Sequence, residues 1–495
     1  MAPEMTRRRK SRIAAAAAGI ILGGMVALQS VGAAHAQGPV SVADLAENLA
    51  DAVVNISTAQ TVQGQRTVPM PQVPEGSPFQ EFFEEFFNRQ NREDDQPRRV
   101  QSLGSGFVID GKEGIIITNN HVIEGADEVT ANFNDGTKLK AEIIGTDEKT
   151  DLAVLKVTPE TPLKDVNFGN SDAIRVGDWV MAIGNPFGLG GTVTVGIVSA
   201  RNRDINSGPY DNFIQTDASI NRGNSGGPLF DMDGNVIGIN TAIISPSGGS
   251  IGIGFAIPAN TAMNVIQQLR DFGEARRGWL GVRIQEVTDE IADSLAMEEA
   301  IGALVAGVTD DGPAAKAKIE PGDVIIKFDG REVETMRELP RMVAETDIGK
   351  EVEVVVLRKG EEVAINVVLE QLVENEVTEA SATTEEKTED QPVERSEILG
   401  MMLAELDDGL RQQFSIDEDV SGVVVTEVKP GSSAEEKRVT AGDVIKEVAQ
   451  EPVETPADVE AEIKKLKEGG RRSALLLLSN PSGDVRFVPV RIEDE

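Results

Sequence analysis

A repeat in the second half of the chain limits its architecture most. Leu280-Gly281 is echoed by Leu399-Gly400 at an offset of 119, and Pro321-Gly322-Asp323-Val324-Ile325 by Ala441-Gly442-Asp443-Val444-Ile445 at an offset of 120. Two landmarks at a nearly constant offset imply a duplicated domain of about one hundred residues, within the usual domain range. The copies fall at 273–372 and 397–495. Residues 373–396 between them are rich in Glu, Thr and Ser, poor in apolar residues, and read as a flexible linker. A chain of 495 residues also exceeds the ~250–300 that one core supports. Residues 37–272 are therefore expected to form a separate unit.

That unit contains Asn221-Arg222-Gly223-Asn224-Ser225-Gly226-Gly227-Pro228-Leu229. A nucleophilic serine needs an exposed Oγ and close approach of a substrate backbone. Glycines permit both, because they reach unusual φ and carry no Cβ. The same bend can aim the N–H groups of Gly223, Asn224 and Ser225 at one developing oxyanion. A plain Gly-rich turn has the same composition, so the partners decide. The chain has two histidines. His121 follows the β-branched run Ile115-Ile116-Ile117-Thr118 at the start of a polar turn. Asp151 opens the apolar strand Leu152-Ala153-Val154-Leu155. A serine nucleophile needs a histidine base and a carboxylate that orients it. His121, Asp151 and Ser225 occur in the chain order of the chymotrypsin arrangement.

The second histidine, His35, lies in a stretch with the pattern of a secretory leader. Arg7-Arg8-Arg9-Lys10 and Arg12 precede an apolar run from Ile13 to Leu28, and Ala34-His35-Ala36 fits a cleavage site. An uncleaved membrane anchor is the rival reading, although the run is short and Ala/Gly-rich. The formal net charge is −36. Such a chain repels nucleic acid and anionic lipid. The absence of cysteine is compatible with either an oxidising or a reducing compartment. No metal-spaced cluster and no phosphate-binding loop occurs, so no cofactor is expected.

From 101 to about 270 the chain alternates short apolar runs with turns such as Asn134-Asp135-Gly136 and Asp233-Gly234-Asn235. This predicts a mainly β unit, an all-β double barrel. Residues 42–52 read as an amphipathic helix leading into a strand from Val53. Residues 59–100 are too long and polar for a packed hairpin. Within them Phe79, Phe82, Phe83, Phe86 and Phe87 fall on one helical face and call for cover from another subunit or domain.

The ordered blocks Gly104-Ser105-Gly106-Phe107-Val108, Thr118 to Ile123, Asp151 to Lys156, Ala182 to Leu189 and Gln215 to Leu229 are similar to those of the HtrA serine proteases. The resemblance is closest to the DegP/DegQ, or Do-type, periplasmic members and runs from about residue 40 to the C-terminus. It implies a trypsin-like double β-barrel protease domain followed by two α+β PDZ domains. It also implies an ATP-independent periplasmic endopeptidase that degrades unfolded or misfolded proteins and acts as a chaperone. Assembly as trimers or their multiples follows from the same resemblance. The 59–100 segment then corresponds to a regulatory loop between subunits. Arg201–Asn212 corresponds to an activation-sensor loop, with Arg201 or Arg203 as its switch. Asn240–Ile244 corresponds to the specificity strand, where Ile243 either floors an apolar S1 pocket or packs as barrel core. In the first PDZ unit the N–H groups of Leu280, Gly281 and Val282 would hold the carboxylate of a peptide with an apolar C-terminus, added to a strand edge. The second unit is either a peptide binder or an assembly contact. The competing class is a PDZ-bearing chaperone or scaffold whose protease domain is silent.

Overall fold

The computed structural model describes residues 38–39, 41–62, 98–100, 103–186, 191–221, 223–245, 249–372 and 396–492. The expected leader, the phenylalanine stripe and the linker as far as residue 395 lie outside the described residues. The chain enters through helix α1 (Ala43–Ala50) and strand β1 (Val53–Val62). Six more strands follow: β2 (Arg98–Val100), β3 (Leu103–Asp110), β4 (Ile115–Thr118), β5 (Glu128–Asn132), β6 (Lys138–Asp147) and β7 (Leu152–Lys156). Strand β1 pairs with β3 on one side and with β5 on the other. The path β1-β3-β4-β7-β6-β5 therefore closes on itself, and β2 adds outside it.

The second barrel uses β8 (Trp179–Gly184), β9 (Thr192–Arg203), β10 (Phe213–Thr216), β11 (Pro228–Phe230), β12 (Val236–Ile243) and β13 (Gly254–Pro258). It is closed in the order β10-β13-β12-β11-β8-β9. The two predicted hairpin turns sit where expected. Gly136 and Gly234 each have φ of 88°, a conformation that costs glycine little.

The apolar runs are continuous because both faces of these strands are buried. Ile116 and Leu155 point into the first barrel with Val54, Ile56 and Val108. Their neighbours Ile115, Ile117, Leu152 and Val154 point the other way. They meet Met181, Ile183, Phe230 and Ile239 of the second barrel in one shared core. The period-two alternation of a strand thus serves two cores at once. Phe107 and Phe230 are wholly buried in the shared one, and burial of one such side chain contributes about 1.5–3 kcal/mol. Helix α3 (Ala259–Phe272) lays Ala262, Ile266 and Leu269 on this seam; its shorter predecessor is α2 (Asn120–Ile123). Gly273 ends α3 at φ 79°, its N–H returning to the Leu269 carbonyl.

The first repeat contains β14 (Gly278–Trp279), β15 (Val282–Glu286), β16 (Ala303–Val308), β17 (Val324–Phe328), β18 (Arg331–Glu332), β19 (Glu351–Arg358), β20 (Glu361–Val368) and β21 (Glu370–Gln371). Its helices are α4 (Asp289–Leu295), α5 (Pro313–Ala317) and α6 (Glu338–Ala344). The second repeat runs β22 (Ser396–Ile398), β23 (Met401–Glu405), β24 (Val423–Val428), β25 (Val444–Val448), β26 (Glu451–Pro452), β27 (Ser473–Ser479) and β28 (Val485–Arg491). Val287, Ile291 and Leu304 of the first repeat pack on Leu475, Leu477 and Phe487 of the second. Gln285 clasps the same contact. Its amide donates to the Phe487 carbonyl at 2.7 Å and accepts from the Phe487 N–H at 3.0 Å.

The barrels and the first repeat are joined by a buried ion pair. Arg277 reaches Asp147 at 2.5 Å, with side-chain exposures of 10% and 6%. Thr150 also donates to Asp147 through its amide and hydroxyl. Arg277→Ala would leave a buried carboxylate without its cation, at a cost of about 3 kcal/mol. We expect a lower thermal midpoint and faster amide exchange over residues 274–279. Unchanged exchange there would show that the ion pair does not hold the junction.

Candidate active site

Asp151 is fixed before any other group in the site. It sits at the mouth of β7 with φ of 55°, a left-handed conformation that is uncommon outside glycine and persists only when its surroundings hold it. The restraints are visible. Its carbonyl accepts from the Asn119 side chain at 2.8 Å and from the Asn120 N–H at 3.2 Å. One carboxylate oxygen accepts from the His121 N–H at 2.9 Å. The other meets His121 Nδ1 at 2.7 Å and accepts from Thr241 Oγ1 at 2.6 Å. With the proton of the imidazole on Nδ1, facing this carboxylate, Nε2 is left as the basic nitrogen.

Burial of the His121 ring pulls its pKa down. The charge of Asp151, the hydrogen bond to it and the charge of Glu124 outweigh that effect and leave the pKa above its ordinary 6.5. Glu124 is itself pushed up, first by burial and then by the charges of Glu148 and Asp151.

Ser225 lies in the glycine turn 223–227, which Thr241 links to this pair. The Ser225 carbonyl accepts from Ser105 N–H at 2.8 Å, and Gly226 N–H donates to the Asn240 carbonyl at 2.8 Å. Gly226 has φ of 81°, and a Cβ there would lie 2.3 Å from the Ser105 carbonyl. Only glycine fits. Ser225 Oγ donates to the Thr241 carbonyl at 3.3 Å. Thr241 therefore touches both ends of the site, Asp151 through its hydroxyl and Ser225 through its carbonyl. Sequence reasoning gave this residue no role.

The turn corrects one expectation. The Asn224 N–H donates to the Asn221 carbonyl at 3.0 Å, so it is turned into the loop rather than toward an oxyanion. Among the described residues, the N–H groups of Gly223 and Ser225 donate to no other group. Gly223 has φ of 98°, and a Cβ there would meet Pro186 at 2.7 Å. The Gly223 and Ser225 N–H groups, and not the Asn224 N–H, are therefore the loop's candidate oxyanion donors.

Ile243 is half-buried at the end of β12 and packs against the core of the second barrel. It pairs with Gly254, where a Cβ would strike Ile220 at 2.7 Å. Ile220, five residues before Ser225, thus shares a core with Ile243, and no sequence signal singled it out. Arg201 donates to the Ser171 carbonyl at 3.4 Å and Arg203 to Gln215 at 3.1 Å, both within the barrels. Both lie at the end of strand β9, and the loop after it meets the first repeat through Asp204 and Asn206, which contact Arg337, and through Tyr210, whose ring lies 4.7 Å from Arg277.

The two repeats treat their Leu-Gly turns differently. In the first, the Leu280 and Gly281 carbonyls accept from Ala314 and Thr309 N–H groups at 2.9 Å each. Their own N–H groups donate to nothing among the described residues. Strand β15 lies at the end of its sheet, and Val282 begins it. In the second, Leu399 and Gly400 both have positive φ, 52° and 76°. That is the geometry of a two-residue hairpin. It folds β22 back on β23, pairing Ser396 with Leu403 and Ile398 with Met401. The edge left open on β15 is covered on β23.

The double barrel, the Asp-His pair beside a serine on a glycine turn, and two appended repeats define a trypsin-like serine endoprotease with PDZ domains. Residues 104–239 match the family model of a trypsin-like peptidase domain, and 278–369 and 389–477 each match a PDZ domain. The chain is 43% identical over 476 residues to a probable periplasmic serine endoprotease DegP-like of Brucella suis, covering 92% of this chain and 90% of that one. It is 44% identical over 466 residues to the protein of the same description in Bartonella henselae, covering 91% and 89%. A solved structure of the HtrA-type protease AlgW with a decapeptide superposes with a TM-score of 0.55 at 42% identity, covering 68% of this chain and all of that one. The chain belongs to the DegP-like serine endoproteases of the HtrA family. Among the described residues, no helix is long and apolar enough to cross a membrane.

Removing one of the charges that raise the His121 pKa should lower it. In an NMR titration the His121 imidazole should show a midpoint above 6.5, and Glu124→Gln should move it toward lower pH. A midpoint that Glu124→Gln left in place would show that Glu124 does not act on the ring.

Proposed function

We propose that this chain is a periplasmic endopeptidase acting on unfolded or misfolded proteins, with Ser225 as nucleophile. The observation that carries the reading is the Asp151 carboxylate, bonded at once to His121 Nδ1 and to Thr241. Nε2 of His121 takes the Ser225 proton as Oγ attacks the peptide carbonyl, and returns it to the leaving amine. Asp151 stays ionised, fixes the tautomer and stabilises the imidazolium. Gly223 and Ser225 N–H groups receive the oxyanion. His121 must be neutral to act, so kcat/KM falls on acidification through the same midpoint as its NMR titration.

Ile243 with Ile220 makes the S1 pocket apolar and suited to small aliphatic side chains. The first repeat takes a peptide C-terminus at Leu280, Gly281 and Val282, on the open edge of β15. With the edge of β23 covered, the second repeat serves contacts within or between chains rather than binding a peptide C-terminus. Location in the periplasm follows from the descriptions of the relatives and the leader-like N-terminus. Chaperone activity without ATP and assembly in trimers follow from the family.

Ser225→Ala should fold as wild type and lose casein cleavage by about 10⁶ in kcat. Products of the wild-type enzyme, sequenced from a denatured substrate, should end in Val, Ala or similar residues. Wild-type cleavage by the folded Ser225→Ala protein would remove Ser225 from the mechanism. Products ending mainly in Lys or Arg would remove Ile243 from S1. A wild-type protein that cleaves nothing yet suppresses aggregation would instead be the scaffold.

A further inference from the structure

Ser105 is wholly buried and carries three bonds to the machinery around Ser225 without belonging to the triad. Its N–H donates to the Ser225 carbonyl at 2.8 Å. Its hydroxyl lies between two backbone groups, 2.5 Å from the Gly223 carbonyl and 2.8 Å from the Asn185 N–H. The direction of the hydroxyl proton follows from donor arithmetic. The Asn185 N–H can only donate, so it occupies a lone pair of Oγ. The single hydroxyl proton is then left for the Gly223 carbonyl. Each bond polarises the next in this buried relay.

We propose that Ser105 is a positioning residue for the oxyanion site, a role that rests on the reading of Ser225 as nucleophile. Gly223 lies in the left-handed region at φ 98°, where a glycine linkage reorients readily and needs an external restraint. The peptide plane between Gly223 and Asn224 is held at both ends. Its carbonyl is held by Ser105, and its N–H by the Asn221 carbonyl. The next plane is held by Gly227 N–H on the Asn224 carbonyl at 3.0 Å. With these planes fixed, the Ser225 N–H is held for the oxyanion, and the anchored Gly223 carbonyl limits rotation about the Gly223 Cα beside the second donor. Ser105 stands on β3 of the first barrel, while Asn185 directly follows β8 of the second. Its hydroxyl therefore ties the competence of the loop to the docking of the two barrels.

The experiment compares wild type with Ser105→Ala and Ser105→Cys in the full-length chain. Cysteine keeps the shape of the side chain and supplies only a weak donor. Three quantities are read: kcat, KM for a peptide substrate, and the inhibition constant of a peptidyl boronate, whose tetrahedral adduct uses the oxyanion donors. Both variants should lose roughly 10–100-fold in kcat, less than or comparable to removing a donor outright. Boronate affinity should fall by a similar factor while KM stays within about twofold. Circular dichroism confirms that each variant is folded, and the cysteine variant serves if alanine is not.

If Ser105→Cys retains wild-type kcat and boronate affinity, packing rather than the hydrogen bond is what matters and the proposal fails. Equal losses in KM and boronate affinity would place Ser105 in general substrate binding and also overturn it. A wild-type enzyme that does not bind the boronate at all would overturn the nucleophile assignment itself, a separate failure.

Discussion

The hydrogen bond from Thr241 to Asp151 crosses between the two barrels, and the site depends on it. Asp151 opens β7 of the first barrel and Thr241 lies on β12 of the second. The left-handed backbone of Asp151 is unfavourable in isolation. It is maintained by donors from Asn119, Asn120, His121 and Thr241. Because one carboxylate oxygen serves both His121 and Thr241, the orientation of the imidazole and the docking of the barrels are one constraint. Neither barrel alone contains the site.

That docking is secured by apolar burial rather than by the polar contacts themselves. Strands β4 and β7 are apolar on both faces, one face filling their own barrel and the other the shared seam. The polar groups lie at the end of this seam, where backbone positions are already set. Ser105 belongs to the same region. It is followed along β3 by Phe107, which is buried in the shared core. The rigidity that a preorganised oxyanion site requires is thereby supplied by the packing of side chains that take no part in chemistry.

Much of this was legible in the sequence. His121 and Asp151 could be found because each sits where an apolar strand meets a polar turn, and the serine because glycines surround it. The repeat was legible in two short landmarks. Other features had no local signal. Thr241 is one threonine in an apolar strand, and its role exists only across the seam. Asn224 has the right position in the loop, but the direction of its N–H is set by the turn closing on Asn221. Leu280 and Leu399 occupy the same place in a repeated motif, yet only Leu399 has positive φ. Leu399 and Gly400 turn β22 back onto β23, whereas β15 of the first repeat is left at the edge of its sheet. Arg201 and Arg203 attract attention as charges in a polar stretch, whereas the contacts of the following loop with the first repeat come from Asp204, Asn206 and Tyr210.

The central claim is that this seam holds a serine nucleophile and two backbone donors in place for a tetrahedral intermediate. A crystal structure of the wild-type chain after reaction with a peptidyl phosphonate tests it most directly. The account predicts a covalent adduct on Ser225 Oγ, with one phosphonyl oxygen within about 3 Å of the Gly223 and Ser225 nitrogens and the Asn224 N–H still on the Asn221 carbonyl. An adduct on another residue, or an oxygen held by the Asn224 N–H with Gly223 turned away, would contradict it.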